Sequence, residues 1–323
     1  YGNELTTFKT TDGGLTWKKI VHGGGEGFNN ILCKSANECF ITGKAGRLLR
    51  TQDGGDTWTW QDLLNTNPLH EITFPTQDTG YISASGLIFR TIDGGNSWQS
   101  FSQLTGGGIL NFPSKSVGFI GYTTNKYVKK TTDAGKSWNS LPTQFSGGAF
   151  NFISETIGIS DGITKGTILY TNDGGVNWIE KKLLYQNIAV KSIVTCNKGW
   201  IMMASRDTLI NTSSHLVADI YIVDFNLNIS IKKTVISNGY FLRKVNDSTV
   251  CLGTTDSLYL SRDNGNSWFV EKYCEANFLD IAYPSSHIAF GIGKGIYKGF
   301  YQTNLTINDI KTADKTINTA IST

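Results

Sequence analysis

Proline, cysteine and histidine are scarce in this chain, and long apolar or basic runs are missing altogether. Only five prolines and four histidines occur in 323 residues. The histidines are scattered and no Cys-x-x-Cys pair exists, which argues against zinc and leaves metals and cofactors without candidate ligands. No apolar stretch approaches the ~20 residues of a membrane-spanning helix. The formal net charge is only +3 and no block of Lys or Arg interrupts the sequence, so the electrostatic footprint of a nucleic-acid binder is absent. Glycine runs occur at 23–25, 106–108 and 147–148, yet no Gly-Lys-Ser/Thr follows them, which excludes a phosphate loop. Signals for a long helix are few. The chain opens on Tyr1 without a Met or a signal segment, and the expectation is that a preceding segment has been removed. Low charge with many Ser, Thr and Asn suits an exported bacterial protein: secreted, periplasmic or at the cell surface.

What the chain has in abundance is one phrase, Thr/Ser-x-Asp-x-Gly-x-Thr/Ser/Asn-Trp, written six times. The copies span residues 10–17, 51–58, 91–98, 131–138, 171–178 and 261–268. Their acids are Asp12, Asp53, Asp93, Asp133, Asp173 and Asp263, and their indoles Trp17, Trp58, Trp98, Trp138, Trp178 and Trp268. A step near 40 residues signals a repeat architecture, and the last step, from Asp173 to Asp263, leaves room for one decayed copy. Each copy has the chemistry of a tight turn. The carboxylate accepts backbone N–H groups across the bend, Gly supplies positive φ, and Trp fills a slot between sheets. A motif present in every unit is scaffold by default, so these six acids staple their own turns rather than react.

Alternating apolar residues around the phrase read as half-buried antiparallel strands. One full unit has strands at 28–33, 39–43, 47–51 and 57–63. Units with the same grammar follow through about residue 181. The decayed unit, about 184–233, has strands at 189–195 and 199–204, a polar insert at 207–214, then strands at 219–224 and 229–233, with no Asp-Gly pair in its last turn. The final unit offers strands at 279–283, 288–291 and 295–300, and the first only two, at 5–10 and 16–21. The N-terminal strands therefore complete the C-terminal unit. The expectation is an all-β, seven-bladed β-propeller of four-stranded antiparallel blades, closed by N-terminal strands, with a count uncertain by one blade. Residues 1–304 form a single domain in this reading, and 305–323 a polar tail or linker.

Five cysteines leave at least one unpaired within the chain. Cys33 and Cys39 flank a short turn between strands; they are either a disulfide or two small buried hydrophobes.

The phrase resembles the Asp-box, or bacterial neuraminidase repeat, of sialidases, two-domain xyloglucan hydrolases, sortilin-type receptors and the photosystem II stability and assembly factor family. All carry it on propeller blades, and their functions differ, so it speaks for fold rather than chemistry. The string aliphatic/aromatic-Arg/Lys-Thr-x-Asp-Gly-Gly-x-Thr/Ser-Trp, at 49–58, 89–98 and by approximation 128–138, is most similar to the assembly factor family. That resemblance implies a single ring that binds proteins and lacks known chemistry, with a binding surface rich in Arg. The analogous positions here are Lys9, Arg50, Arg90 and Lys130, with Arg47 nearby; the bland alternative is exposed residues that keep sheet edges soluble. Sialidases resemble one another in an Arg-Ile-Pro segment and three substrate-gripping arginines. This chain has no Arg-Ile-Pro and only six Arg, three of them tied to the repeat.

Two functional readings follow. The first is a non-catalytic, monomeric binding or assembly module outside the cytoplasm, recognising a protein or a carbohydrate. Its candidate groups are the basic set above and, around one channel mouth, Asn30, His70, Asn111 and Asn151. The second is a glycoside hydrolase, which needs two carboxylates ~5–10 Å apart. Outside the repeat the acids considered are Glu26, Glu71, Glu155, Asp161 and Asp280. Glu71 and Asp280 occupy comparable places in innermost strands and form the fallback pair, against the simpler picture of two solvated carboxylates at a pore mouth.

Overall fold

The computed structural model describes residues 4–294, except for 13–15, 25–26, 64–65, 104–107, 122–126, 145–148, 211–212, 238, 256, 274–277 and 286. Two strands, β1 (Glu4–Thr10) and β2 (Lys18–Gly24), precede the first complete blade. That blade is β3 (Phe28–Cys33), β4 (Cys39–Gly43), β5 (Arg47–Thr51) and β6 (Thr59–Asp62). The second is β7 (Leu69–Thr73), β8 (Gly80–Ala84), β9 (Leu87–Thr91) and β10 (Gln99–Gln103). The third is β11 (Ile109–Asn111), β12 (Gly118–Gly121), β13 (Tyr127–Thr131) and β14 (Asn139–Gln144). The fourth is β15 (Phe150–Phe152), β16 (Gly158–Asp161), β17 (Thr167–Thr171) and β18 (Ile179–Lys182). The fifth is β19 (Ala189–Cys196), β20 (Gly199–Ile210), β21 (Ser213–Asp224) and β22 (Ile229–Val235). The sixth is β23 (Gly239–Lys244), β24 (Val250–Thr254), β25 (Ser257–Ser261) and β26 (Phe269–Tyr273), and β27 (Phe278–Ala282) and β28 (Ala289–Lys294) end the series.

Every sheet is a four-stranded antiparallel meander. The seventh has the order β2-β1-β28-β27, so both chain ends share one blade, with Phe8 opposite Gly291. Innermost strands touch in sequence from β3 through β27 and back to β3, which closes a ring of seven. The residues anticipated as a further C-terminal strand, 295–300, and the tail, 305–323, lie outside the described residues, as do Glu26 and Cys274.

The core lies between blades, and its repeat explains much of the sequence. An aromatic on the second strand of one blade stacks on a Phe at the end of the next blade's first strand. Tyr81 stacks on Phe112 at 4.3 Å, Phe119 on Phe152 at 3.5 Å and Phe40 on Phe74 at 5.2 Å. The repeat's Trp then meets that Phe edge-on: Trp98 on Phe74, Trp138 on Phe112 and Trp178 on Phe152. Such edge contacts suit the ring quadrupoles. Six residues after each Phe comes Gly80, Gly118 or Gly158, where a Cβ would lie 2.4–2.6 Å from the ring. In the first blade this Phe/Gly pair is replaced by Cys33 and Cys39, which face each other across β3 and β4 and are joined in a disulfide.

The fifth blade departs from expectation. The insert is not a polar loop: β20 and β21 run on as a ladder to Ile210 opposite Ser213. The turn from β21 to β22 also keeps the repeat's chemistry despite the loss of Asp-Gly. Asp224 accepts the N–H groups of Asn226 and Asn228 at 2.9 and 2.8 Å, and the Asn228 amide at 2.7 Å. This is the staple of the full repeat on a shorter turn, with Leu227 at φ 63 in place of glycine.

Candidate functional site

The six repeat acids act alike. At Asp133, Oδ1 accepts the Thr131 hydroxyl at 2.7 Å and the Ser137 N–H at 2.9 Å, while Oδ2 accepts the Ser137 hydroxyl at 2.6 Å. The Thr131 oxygen in turn accepts the Gly135 N–H, and the Trp138 indole donates to the Gly135 carbonyl at 3.1 Å. Asp12, Asp53, Asp93, Asp173 and Asp263 likewise accept the hydroxyl two residues before and the N–H four residues after. The Ser137 hydroxyl and N–H hold the Asp133 carboxyl at about 2, and the Asn177 N–H and amide do the same for Asp173. At Asp12 partial burial pushes upward, but the Thr10 and Thr16 bonds outweigh it and leave the group at about 2. A carboxylate so tightly held is a poor proton donor near neutral pH. Glycine is replaceable at the first of the two turn positions, where Ala134 and Asn264 adopt φ 60. At the second it is not: a Cβ on Gly55 would sit 2.5 Å from Phe290, and one on Gly95 2.6 Å from Phe40.

Three members of the expected basic ring, Lys9, Arg50 and Lys130, are clamps between blades. Arg50 is 7% exposed, pairs with Glu38 through Nε at 3.1 Å and reaches the next blade's turn at Asn96 Oδ1, 2.8 Å away. Lys130 donates to the carbonyls of Glu155 and Gly174, and Lys9 to Asp56 at 3.3 Å. Arg90 lies over Phe101, 4.7 Å from the ring centroid. Positioned by the third strand just before each Asp turn, Lys9, Arg50 and Lys130 reach oxygen acceptors of the neighbouring blade, whereas Arg90 packs on rings of its own blade. Both sequence readings, a ligand surface and a soluble edge, therefore meet a third use. Arg47 alone of the set is exposed, stacked over Trp60 at 5.4 Å.

At the channel, Asp280, Asn30 and Glu71 occupy equivalent positions on β27, β3 and β7. Each follows or lies within a register shift that turns its side chain toward the next blade. An innermost strand has one edge without a ladder partner, and the N–H groups on that edge need acceptors. Asp280 Oδ2 takes the Ile31 N–H at 3.1 Å, Asn30 Oδ1 that of Ile72 at 3.2 Å, and Glu71 Oε2 that of Leu110 at 3.2 Å. Ser192 does this for Leu242, and Asn111, two positions along its strand, for Phe152. Asn151 presents a buried Oδ1 without a partner, and His70 Nε2 meets Ser85 Oγ at 3.1 Å. The candidate channel groups are thus mostly joints between blades.

Asp280 is fully buried rather than solvated, and its other contacts are the Asn30 amide at 2.7 Å, its neighbour's N–H at 2.8 Å and Arg243 Nε at 2.6 Å. Sequence reasoning passed over Arg243, whose neighbours in sequence carry no signal; only the ring brings it to Asp280. Glu71 retains some exposed surface, yet protein walls in its carboxyl. That desolvation raises its pKa to about 7, against the pull of the nearby Arg243 charge. Of the remaining acids, Asp161 is buried and Glu155 is exposed on another loop. Among the described residues no group of His, Cys, Asp and Glu is arranged to hold a metal, and no helix is long and apolar enough to cross a membrane.

Fold and joints together define a seven-bladed propeller of the bacterial neuraminidase repeat type, close to the photosystem II assembly factor family. The sequence profile of the photosynthesis system II assembly factor YCF48 matches residues 1–122. No curated protein matches the chain. Among solved structures, YCF48 bound to D1 peptide superposes with a TM-score of 0.61 at 16% identity, over 83% of this chain and 93% of that one. YCF48 from Cyanidioschyzon merolae gives 0.60 at 15%, over 83% and 95%. The GH74 xyloglucanase from Xanthomonas campestris gives 0.61 at 12%, over 86% of this chain but 52% of that one. At these identities the likeness is one of fold.

Proposed function

We propose that this protein is a non-catalytic binding or assembly propeller that recognises another protein outside the cytoplasm. One observation carries the reading: at the position shared by Asp280, Asn30 and Glu71, two carboxylates and one amide do the same structural work. An amide serves as well as an acid only where an acceptor, not a proton donor, is required. A peptide-bound YCF48 among the similar structures supports a protein partner over a carbohydrate. The Cys33–Cys39 disulfide supports an oxidising compartment. The module acts as a monomeric ring built from residues 1–304, with 305–323 as a polar extension.

A second reading keeps a foothold. Glu71, with a pKa of about 7 near Asp280 and Arg243, has the titration of a general acid for glycoside cleavage. One experiment separates the two: thermal shift of the whole chain against arrays of peptides and glycans, then turnover assays on each hit. Stabilisation by peptides without turnover is expected. Hydrolysis of a glycan that disappears in Glu71→Gln would replace the binding reading with the enzymatic one.

A further inference from the structure

The fifth blade projects from the ring. Its first strand, β19, pairs with β20 only as far as Ser205, and β22 pairs with β21 only as far as Ala218. Beyond that point five residue pairs, Arg206–Val217 through Ile210–Ser213, form a two-stranded ribbon that has, among the described residues, ladder partners on neither outer edge. At ~3.4 Å per residue the ribbon reaches about 17 Å past the rest of the blade. A two-stranded ribbon is marginal in water unless something packs on it.

Its base, by contrast, is fixed. Arg206 pairs with the fully buried Asp219 at 2.6 Å, Asp219 also accepts the Thr234 hydroxyl, and the guanidinium lies 3.9 Å from the Tyr185 ring centroid. Tyr185 belongs to the connector between the fourth and fifth blades. That connector is bonded to the β16–β17 loop through Gly166 N–H to Ile188 O and Leu183 N–H to Gly166 O. Arm, connector and loop are therefore contiguous. Across them Leu184 is 71% exposed, Ile163 52%, Leu216 38% and Tyr185 37%. Lys165 and Lys182 are exposed on the same loop and on the adjoining end of β18.

We infer that this surface docks an extended, acidic, aliphatic segment of a partner protein, laid beside the arm where strand edges are open. The apolar side chains would take the segment's aliphatic groups, the lysines its carboxylates, and the ribbon edge its backbone. This rests on the binding-module reading and names the surface and chemistry of the partner.

The test is fluorescence anisotropy of the whole chain with a labelled 12-residue peptide of alternating Glu and Leu. Lys/Leu and Glu/Ser peptides serve as controls. The Glu/Leu peptide is expected to bind at least about tenfold more tightly than either control, and more weakly as salt rises. The exposed-site variant Leu184→Ser/Lys182→Glu should weaken it about tenfold, and so should shortening the arm to a two-residue turn between Arg206 and Val217. Lys44→Glu, exposed on the first blade, should leave it unchanged. Equal binding by the variants would overturn this surface while the binding-module reading stands. No preference for the Glu/Leu peptide over its controls would overturn the partner chemistry. Glycan turnover by the same samples would remove the reading underneath. Capture of anionic vesicles lost in the Leu184→Ser/Lys182→Glu variant would reassign the surface to lipid.

Discussion

Two sets of carboxylates in this molecule respond to protons in opposite directions. The repeat acids titrate below their ordinary 3.8, with Asp12, Asp133 and Asp173 near 2. A depressed folded-state pKa contributes stability that is fully present above the unfolded value and lost as pH falls through the folded one. The urea midpoint is therefore expected to drop between about pH 4 and pH 2, with a shallower slope in Asp133→Asn. A midpoint that is flat across that window would mean the staples do not bind the ionised form preferentially. Glu71 works the other way. Its pKa rises from 4.5 to about 7, so its contribution is present below 4.5 and lost as pH rises through 7. Glu71→Gln keeps an acceptor for the Leu110 N–H and removes the buried charge. It should leave stability unchanged at pH 4 and raise it by about 1–3 kcal/mol at pH 8, read from paired denaturation curves.

At the level of the element, the disulfide and the Phe/Gly pairs are alternative solutions to one packing problem. A first strand ends opposite the start of a second, and the space between them and the neighbouring blade must be filled. Blades two to four fill it with a ring over a glycine, and blade one with a covalent bridge. The double substitution Cys33→Phe/Cys39→Gly should therefore fold and lose its sensitivity to reductant. Cys33→Ser/Cys39→Ser lacks both fillers and should lose about 2 kcal/mol or more. Melting temperatures with and without dithiothreitol check this; a double variant no better than the serine pair would refute the equivalence. The six-residue spacing of Phe74/Gly80, Phe112/Gly118, Phe152/Gly158 and Cys33/Cys39 is present in the sequence. Its meaning emerges only when β3 and β4 are seen in register.

For the whole molecule, closure depends on β1 and β2 completing the seventh blade. Removing residues 1–24 would strip β28 of its partner β1 and open every joint that runs through Phe8, Trp17 and Phe278. The truncated chain is expected to lose its single cooperative unfolding transition and to aggregate, as followed by circular dichroism and light scattering. A truncated chain that melts cooperatively near the intact temperature would show that six blades hold without closure.

The sequence by itself determined the blade. The phrase recurring every 40 residues or so, the alternation of apolar residues and the two half-units at the ends are local patterns, and local patterns fix strands and turns, while the pairing of β1 with β28 settles the count at seven. It also determined the chemistry of the Asp turns, because every donor to each carboxylate lies within four residues of it. Only the tertiary structure decided what the remaining charged groups do. Asn30 and Asp280 are 250 residues apart, and the partners of Arg50 and Lys130 across the joint sit on the next blade. The register of one blade against another sets these contacts, and no pattern within a single repeat encodes that register. The same holds for the arm: polar residues at 207–214 read as a loop, since a strand pair that no third strand covers lacks the one-sided burial that writes alternation into a sequence.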